Sequence, residues 1–124
     1  MLNQKKALGK QFLAELYDCD SKMLNDKQKI AQILEDAAVF SGAKVLGSTF
    51  HQFSPQGVSG MVLLSESHLA IHTWPEHDFA SIDLFACGSK MDTDACLEFV
   101  KKELKASLSE VTKVQRGVFK ERKK

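Results

Sequence analysis

LAIHTWPEHDFASIDLFAC, residues 69 to 87, contains two β-strand patterns joined by a short turn. Large aliphatic side chains recur at every second position in Leu69–Trp74 and again in Phe79–Cys87, and a period of two residues is typical of a strand. The turn Pro75–Asp78 is far shorter than a parallel crossover, which needs about a dozen residues. The two strands are therefore predicted to be antiparallel neighbours.

Further extended segments lie on both sides of this pair. Val45–Phe53 and Val58–Ser65 precede it with equally short connections, so they are also expected to pair antiparallel with their neighbours. Another strand is predicted near the start of the chain, at Gly9–Asp18, and a last one at Val111–Phe119. The sequence therefore predicts a sheet of about six strands.

Two helical patterns interrupt the strands. The first covers residues 25–41, with Asn25 or Asp26 as its N-cap and Gly42 as its stop, and its apolar stripe is Ile30, Ile33, Leu34, Ala37 and Ala38. The second begins at Asp92 or Thr93, and its stripe is Cys96, Leu97, Val100, Leu104 and Leu108. Two helices can cover only one face of such a sheet. We expect an α+β fold, a two-layer α/β sandwich with a mainly antiparallel sheet and both helices on one face.

Strand alternation then assigns the two faces of the sheet. The side chains expected under the helices are the aliphatic ones, Leu69, Ile71, Ile82 and Leu84. Their alternates on the opposite face are His68, His72, Trp74, Ser81, Asp83, Phe85 and Cys87. If the strand from Val58 runs on without a bulge, Ser59 and Ser67 share a face, because they are an even number of residues apart. A face with so many histidine and aromatic side chains is expected to be covered by a partner subunit.

Composition limits the class of protein. The chain has 124 residues, 44% of them hydrophobic, which suits a single domain over residues 1–124. Its formal net charge is +1, so no overall field attracts nucleic acid or a membrane surface, and neither is expected as a partner. No apolar run approaches the roughly 20 residues of a membrane helix, and Met1–Lys10 lacks a hydrophobic signal segment. Three cysteines without a Cys-x-x-Cys spacing fit a reducing compartment, so a cytoplasmic protein is expected.

The chemistry is expected in SESHLAIHTWPE, residues 65 to 76. Ser67 directly follows Glu66, an arrangement in which a hydroxyl can attack the preceding peptide bond and break the chain. A lone serine is most often a turn residue, but here His72 adds a group suited to proton transfer near neutral pH. Cys87 is either a small apolar filler or a proton donor at the end of the neighbouring strand. Cys19 and Cys96 have no such reactive residues near them in the pattern and are predicted to be packing residues.

Two other sites compete for these residues. His68, His72, Glu76 and Cys87 are metal-ligand types, but they lack the close spacing that makes zinc motifs specific, so no metal is predicted. A serine hydrolase is less favoured still, because the chain has no Gly-x-Ser-x-Gly nucleophile elbow.

Five blocks of sequence carry a family resemblance. They are Gly47-Ser-Thr-Phe-His51, Gly57-Val-Ser-Gly60, Leu64-Ser-Glu-Ser-His68, Ile71-His-Thr-Trp-Pro-Glu76 and Ile82-Asp-Leu-Phe-Ala-Cys-Gly88. They closely resemble the short bacterial and archaeal type of S-adenosylmethionine decarboxylase, a pyruvoyl-dependent enzyme of polyamine (spermidine) synthesis. The flanking strand-helix and helix-strand units agree with this family in length and order.

The resemblance implies self-processing between Glu66 and Ser67. The products would be a β chain, residues 1–66, and an α chain, residues 67–124, which begins with a pyruvoyl group made from Ser67. By position in the family, His72 would assist proton removal during processing and Ser59 would help to hold the ester intermediate. The working enzyme would be a homodimer of αβ protomers.

The resemblance also implies the roles in decarboxylation. The pyruvoyl cofactor would form a Schiff base with S-adenosylmethionine, and Cys87 would donate the proton after carbon dioxide leaves. Phe53 and Trp74 match aromatic positions that suit a purine ring and a sulfonium cation. Glu76 matches an acidic position that would bind the ribose hydroxyls or offset the sulfonium charge.

Two other functions remain open at this point. The same pyruvoyl chemistry would serve an arginine or ornithine decarboxylase with a different side-chain pocket. Alternatively, the chain would be an inactive homologue that acts as a regulatory subunit.

Overall fold

Six strands form one fully antiparallel sheet in the computed structural model, which describes residues 6–65, 67–88 and 90–119. The strands are β1 (Lys6–Tyr17), β2 (Val45–Gln52), β3 (Val58–Leu64), β4 (Ser67–Trp74), β5 (Phe79–Cys87) and β6 (Leu108–Phe119). Their order across the sheet is β2-β3-β4-β5-β1-β6. The first strand of the chain is thus inserted between β5 and β6, while β2 to β5 follow one another as hairpins.

Within the described residues, three α-helices pack on one face of this sheet: α1 (Ser21–Leu24), α2 (Lys27–Phe40) and α3 (Thr93–Glu103). The predicted two-layer α+β sandwich is confirmed, with one extra helical turn. Aspartates cap all three helices, because the carboxylates of Asp20, Asp26 and Asp92 accept backbone N–H groups of the first turns. None of the described helices is long and apolar enough to cross a membrane.

The first predicted helix is confirmed, because α2 follows its N-cap Asp26 and ends at Phe40. The short helix α1 before it was not predicted. One predicted helix limit was wrong. Leu108 is not on the stripe of the last helix. That helix ends at Glu103, Lys105 has a left-handed φ of 61°, and Leu108 begins β6 with 55% of its surface exposed.

The predicted face assignment is confirmed on the helix side. Leu69, Ile71 and Leu84 are fully buried, and Ile82 is 1% exposed. They pack with the helix residues Leu24, Ile30, Leu34, Val100 and Leu104, which are also fully buried. Each such side chain contributes about 1.5–3 kcal/mol on burial, so this layer holds the sheet rigidly under the helices.

The other face of the sheet, here called the open face, has no helix over it in the part of the chain that the structure describes. Cross-strand partners lie on the same face, so the strand pairing arranges its side chains in rows. One row crosses all six strands and is entirely polar: His51, Ser59, His72, Ser81, Glu15 and Glu110. The residues with predicted chemistry are therefore placed mainly on a face that the described residues leave uncovered.

Candidate active site

Ser67 and Cys87 lie together at one end of the sheet. Ser67 is the first residue of β4 and pairs with Ala86 of β5, so the next residue, Cys87, is its neighbour across the ladder. Both line a cavity of about 460 Å³, together with Ala43, Lys44, Ser65, Lys90 and Met91. The hydroxyl of Ser67 donates to the backbone carbonyl of Ser65 at 3.5 Å. Ser67 and Cys87 thus line the same half-enclosed space.

The predicted cleavage site joins Glu66 to Ser67, and Glu66 lies outside the described residues. Its two neighbours belong to the β3–β4 hairpin. Leu64 pairs with Ser67, and the backbone N–H of Ser65 donates to the carbonyl of Lys44 at 3.0 Å. The chain on both sides of the predicted bond is therefore tied to the sheet and to the segment before β2.

The prediction that Ser59 and Ser67 share a face was wrong. The strand from Val58 does not run on, because β3 ends at Leu64 and the chain turns back into β4. Ser67 pairs with Leu64 and lies two residues before Leu69, and both leucines are buried under the helices. Ser67 is therefore on the helix side of the sheet. Ser59 lies on the open face, opposite His72. Counting residues through a hairpin does not preserve the face.

Ser59 and His72 form a second polar pair. The Ser59 Oγ and the His72 Nδ1 are 2.8 Å apart, a hydrogen bond in which the tautomer of the ring decides which group donates. His72 was predicted to lie near the hydroxyl of Ser67 and the thiol of Cys87, and neither contact is present within one chain. His72 is five residues along β4 from Ser67, or about 17 Å at the usual rise of a strand.

The aromatic candidates gather at the His72 end. Phe53 is 46% exposed and Trp74 is 39% exposed, so both offer ring surface to a ligand. The His51 ring stands edge-on to Phe53 with 4.6 Å between centroids, and the His72 ring lies 6.3 Å from that of Trp74. Glu76 is exposed in a short 3-10 helix, Pro75–His77, directly after β4.

Sequence reasoning missed two aromatic residues of this group. The Phe79 ring lies 5.5 Å from Trp74 and 5.2 Å from Tyr17, and the three line a cavity of about 450 Å³. Desolvation and the nearby Glu110 raise the pKa of Tyr17, whose hydroxyl donates to Glu110 at 3.2 Å. Tyr17 comes from β1, and its position beside β5 depends on a pairing that local sequence does not reveal.

Cys19 and Cys96 are both buried, unlike the half-exposed Cys87. Burial raises the pKa of each buried thiol to about 11, so both stay protonated at neutral pH. The Cys19 thiol donates to the carbonyl of Leu16, and Cys96 is part of the core under the helices. Neither environment suits a nucleophile or a fast proton donor.

Within residues 6–65, 67–88 and 90–119, no group of three or more His, Cys, Asp or Glu residues is arranged to hold a metal ion. His68 stacks on Phe85 at 5.8 Å, while His72 is bonded to Ser59.

A sequence model of the family described as S-adenosylmethionine decarboxylase matches residues 10–117, which is most of the chain. The chain belongs to this family. The family predicted from the five sequence blocks is thereby confirmed, and those blocks run through β2, β3, β4 and β5.

The chain is also similar to individual S-adenosylmethionine decarboxylase proenzymes over nearly its whole length. The S-adenosylmethionine decarboxylase proenzyme of Acetivibrio thermocellus is 50% identical over 116 residues, covering 93% of each chain. That of Thermotoga maritima is 49% identical over 116 residues, covering 94% of this chain and 89% of the relative.

A solved structure supports the fold of this family member. The adenosylmethionine decarboxylase from Aquifex aeolicus matches with a TM-score of 0.86 at 31% identity, covering 96% of this chain and 98% of that one. The sandwich and its strand order are therefore features that the chain has in common with a known decarboxylase.

Proposed function

We propose that the chain is the proenzyme of a pyruvoyl-dependent S-adenosylmethionine decarboxylase that cleaves itself before Ser67. The observation that carries the proposal is the placement of Ser67 beside Cys87 in one cavity, in a chain that matches the decarboxylase family over residues 10–117. The names of the relatives as proenzymes support self-processing as well as decarboxylation.

Processing would use the Ser67 side chain as an internal nucleophile. Its hydroxyl attacks the carbonyl carbon of Glu66, and the C–N bond breaks in favour of an ester to the Ser67 oxygen. Removal of the Ser67 α-proton then expels the Glu66 carboxylate and leaves dehydroalanine at position 67. Addition of water and loss of ammonia convert it into a pyruvoyl group. These steps consume only water and need no external cofactor or oxidant.

The cavity fits such a group. It leaves about 460 Å³ beside Ser67, and a half-exposed thiol lies on its wall. The pyruvoyl group would supply a carbonyl that binds the substrate's amine and accepts the electron pair left by carbon dioxide. Cys87 would then deliver a proton to the former α-carbon, the role that the family resemblance implies, because it lines the same cavity as Ser67.

The distance between Ser67 and His72 favours a homodimer. In one chain the Ser59–His72 pair is too far along β4 to act on Ser67, whereas a two-fold axis near the middle of β4 would bring one protomer's His72 end to the other's Ser67 end. The open face suits such packing because it exposes Leu63, Leu108 and Val114 at 49%, 55% and 39%. We therefore propose that each site is completed by the second copy.

The aromatic end of β4 supports the adenosyl substrate. Phe53 and Trp74 expose ring surfaces that suit a purine and a sulfonium cation, and Glu76 adds an exposed carboxylate for the ribose or the cation. An arginine or ornithine substrate has no purine to occupy such surfaces. Release of labelled carbon dioxide from carboxyl-labelled S-adenosylmethionine, arginine and ornithine compares the three directly. Release from an amino acid alone would contradict this assignment.

The first experiment is an intact-mass measurement with a denaturing gel. The purified chain should give two fragments, residues 1–66 and residues 67–124, and the second should carry a pyruvoyl terminus. Ser67→Ala should remain a single chain, since it lacks the hydroxyl that starts the reaction. A wild-type chain that never divides would favour the alternative of an inactive regulatory subunit. The three free cysteines fit action in the reducing cytoplasm, which we also propose.

A further inference from the structure

The loop between β2 and β3 carries Phe53 and is closed by its own backbone. The N–H of Phe53 donates to the carbonyl of Gly57 at 2.8 Å. Gly57 has a φ of +109°, a conformation that L side chains rarely adopt, so the tight closure depends on glycine. The loop residues from Phe53 to Gln56 are exposed.

Asn25, the C-cap of α1 at the α1–α2 junction, attaches this loop to the helical layer. Its Oδ1 accepts the backbone N–H of Gly57 at 2.9 Å and the Nε2 of Gln52, also at 2.9 Å. The same Gln52 nitrogen donates to the carbonyl of Gly57 at 3.1 Å. Residues 52 and 57 are the two ends of the loop, so a single side-chain oxygen holds both ends at once.

Two hydrogen bonds of Thr73 hold the start of β3 independently of Asn25. The hydroxyl of Thr73 donates to the carbonyl of Leu24 at 2.8 Å and accepts the N–H of Val58 at 2.9 Å. Thr73 is buried, so these two bonds are shielded from water. They hold the start of β3, and with it Ser59, whether or not Asn25 is present.

We propose that Asn25 is a positioning residue for substrate binding, which acts by holding the loop so that Phe53 presents its ring to the adenosyl group. This inference rests on the proposed role of Phe53. His51 braces the same ring from the side with an edge-on contact. Asn25 touches none of the residues assigned to self-cleavage, so its effect belongs to substrate binding and not to processing.

Asn25→Ala removes the acceptor and should raise the KM for S-adenosylmethionine about five- to tenfold, the value of roughly one hydrogen bond. Self-cleavage and kcat should stay at the wild-type level. Asn25→Asp should restore the KM, because a carboxylate oxygen accepts the same two bonds and Lys22 and Lys27 lie around it. The matched control is Asp26→Ala, the next residue, which removes the cap of α2 but does not touch the loop.

The rate of amide hydrogen exchange at Gly57 measures how firmly the loop is held, independently of enzyme activity. It should be faster in Asn25→Ala than in the wild type and normal in Asn25→Asp and Asp26→Ala. Faster exchange with an unchanged KM would overturn the positioning role, as would an equal rise of KM in the Asp26→Ala control. A wild-type KM in Phe53→Ala would also overturn it. Failure of the wider proposal would look different, because the wild-type chain would then not divide or not release carbon dioxide from S-adenosylmethionine.

Discussion

At the scale of single residues, three cysteines illustrate how environment separates chemistry from packing. Cys19 and Cys96 are buried thiols with a pKa raised to about 11, and Cys87 opens onto the cavity of Ser67. The sequence predicted this division from the company of each residue, since Cys87 ends a strand beside a predicted reactive segment. Its predicted neighbour, His72, was wrong, because the antiparallel pairing of β4 and β5 places Cys87 beside Ser67 and His72 beside Ser81.

Cys87→Ala should separate the two reactions of the proposed enzyme. The chain should still divide into two fragments, because the thiol has no part in the attack of Ser67 on the preceding bond. Turnover of S-adenosylmethionine should fall by about 100-fold or more, the usual size of a lost proton donor. Fragment masses and release of labelled carbon dioxide measure the two effects on one sample, and normal cleavage shows that the variant folds. Wild-type turnover would remove Cys87 as the donor.

At the scale of elements, alternation was a reliable guide inside a strand and a poor one across a turn. Leu69 and Ile71 were placed correctly because a pleated strand exposes every second residue to one face. Ser67 was placed wrongly because the face depends on where the hairpin turns, which two or three residues of loop decide. The short helix α1 was not predicted, because four residues are too few to show a helical period in the sequence.

The close packing of β2 on β3 makes a prediction at this scale. A methyl group at Gly60 would lie 2.6 Å from the backbone oxygen of Thr49 and would clash with the ring of Phe50, so the strands would have to shift. Gly60→Ala should therefore lower the free energy of unfolding by about 2 kcal/mol, as other overpacked sites do. Gly47→Ala is the matched control on β2, because a Cβ there meets nothing within 4 Å.

Urea unfolding of both glycine variants measures this difference. The Ser67→Ala background keeps the chain in one piece, so cleavage does not complicate the transition. Equal midpoints for the two variants would show that β2 and β3 are less tightly joined than their geometry indicates.

At the scale of the whole molecule, helices cover one face of the sheet, and no described helix covers the open face. The helix face is a continuous aliphatic core. The open face carries a polar row that includes His72, Ser59 and the opposed carboxylates Glu15 and Glu110, and like charges directly opposite each other are unfavourable on a sheet. The sequence predicted that a partner would cover this face. It did not predict that Ser67 and His72 lie at opposite ends of β4, because the predicted strand began at Leu69 and left Ser67 in the preceding turn.

The shared site of the proposed dimer can be tested by mixing two inactive chains. Ser67→Ala lacks the nucleophile and His72→Ala lacks the proton-transfer group, so neither should divide when expressed alone. A hybrid dimer would contain one site with both defects and one site with neither. In that second site the serine comes from the His72→Ala chain and the histidine from the Ser67→Ala chain. Equal co-expression with random pairing should therefore cleave about half of the His72→Ala chains and no Ser67→Ala chains.

Intact mass distinguishes the two chains, because the substitutions change their weights differently. Co-expression of each variant with the wild type is the control that hybrid dimers form. If hybrids form and the His72→Ala chain still stays whole, His72 does not act across the interface. If His72→Ala divides when expressed alone, another group removes the α-proton of Ser67. The separation of Ser67 and His72, about 17 Å along β4, would then have no role in processing. Cleavage confined to the His72→Ala chain in the mixture requires that one protomer's histidine serve the other's serine, because no arrangement within a single chain produces that asymmetry.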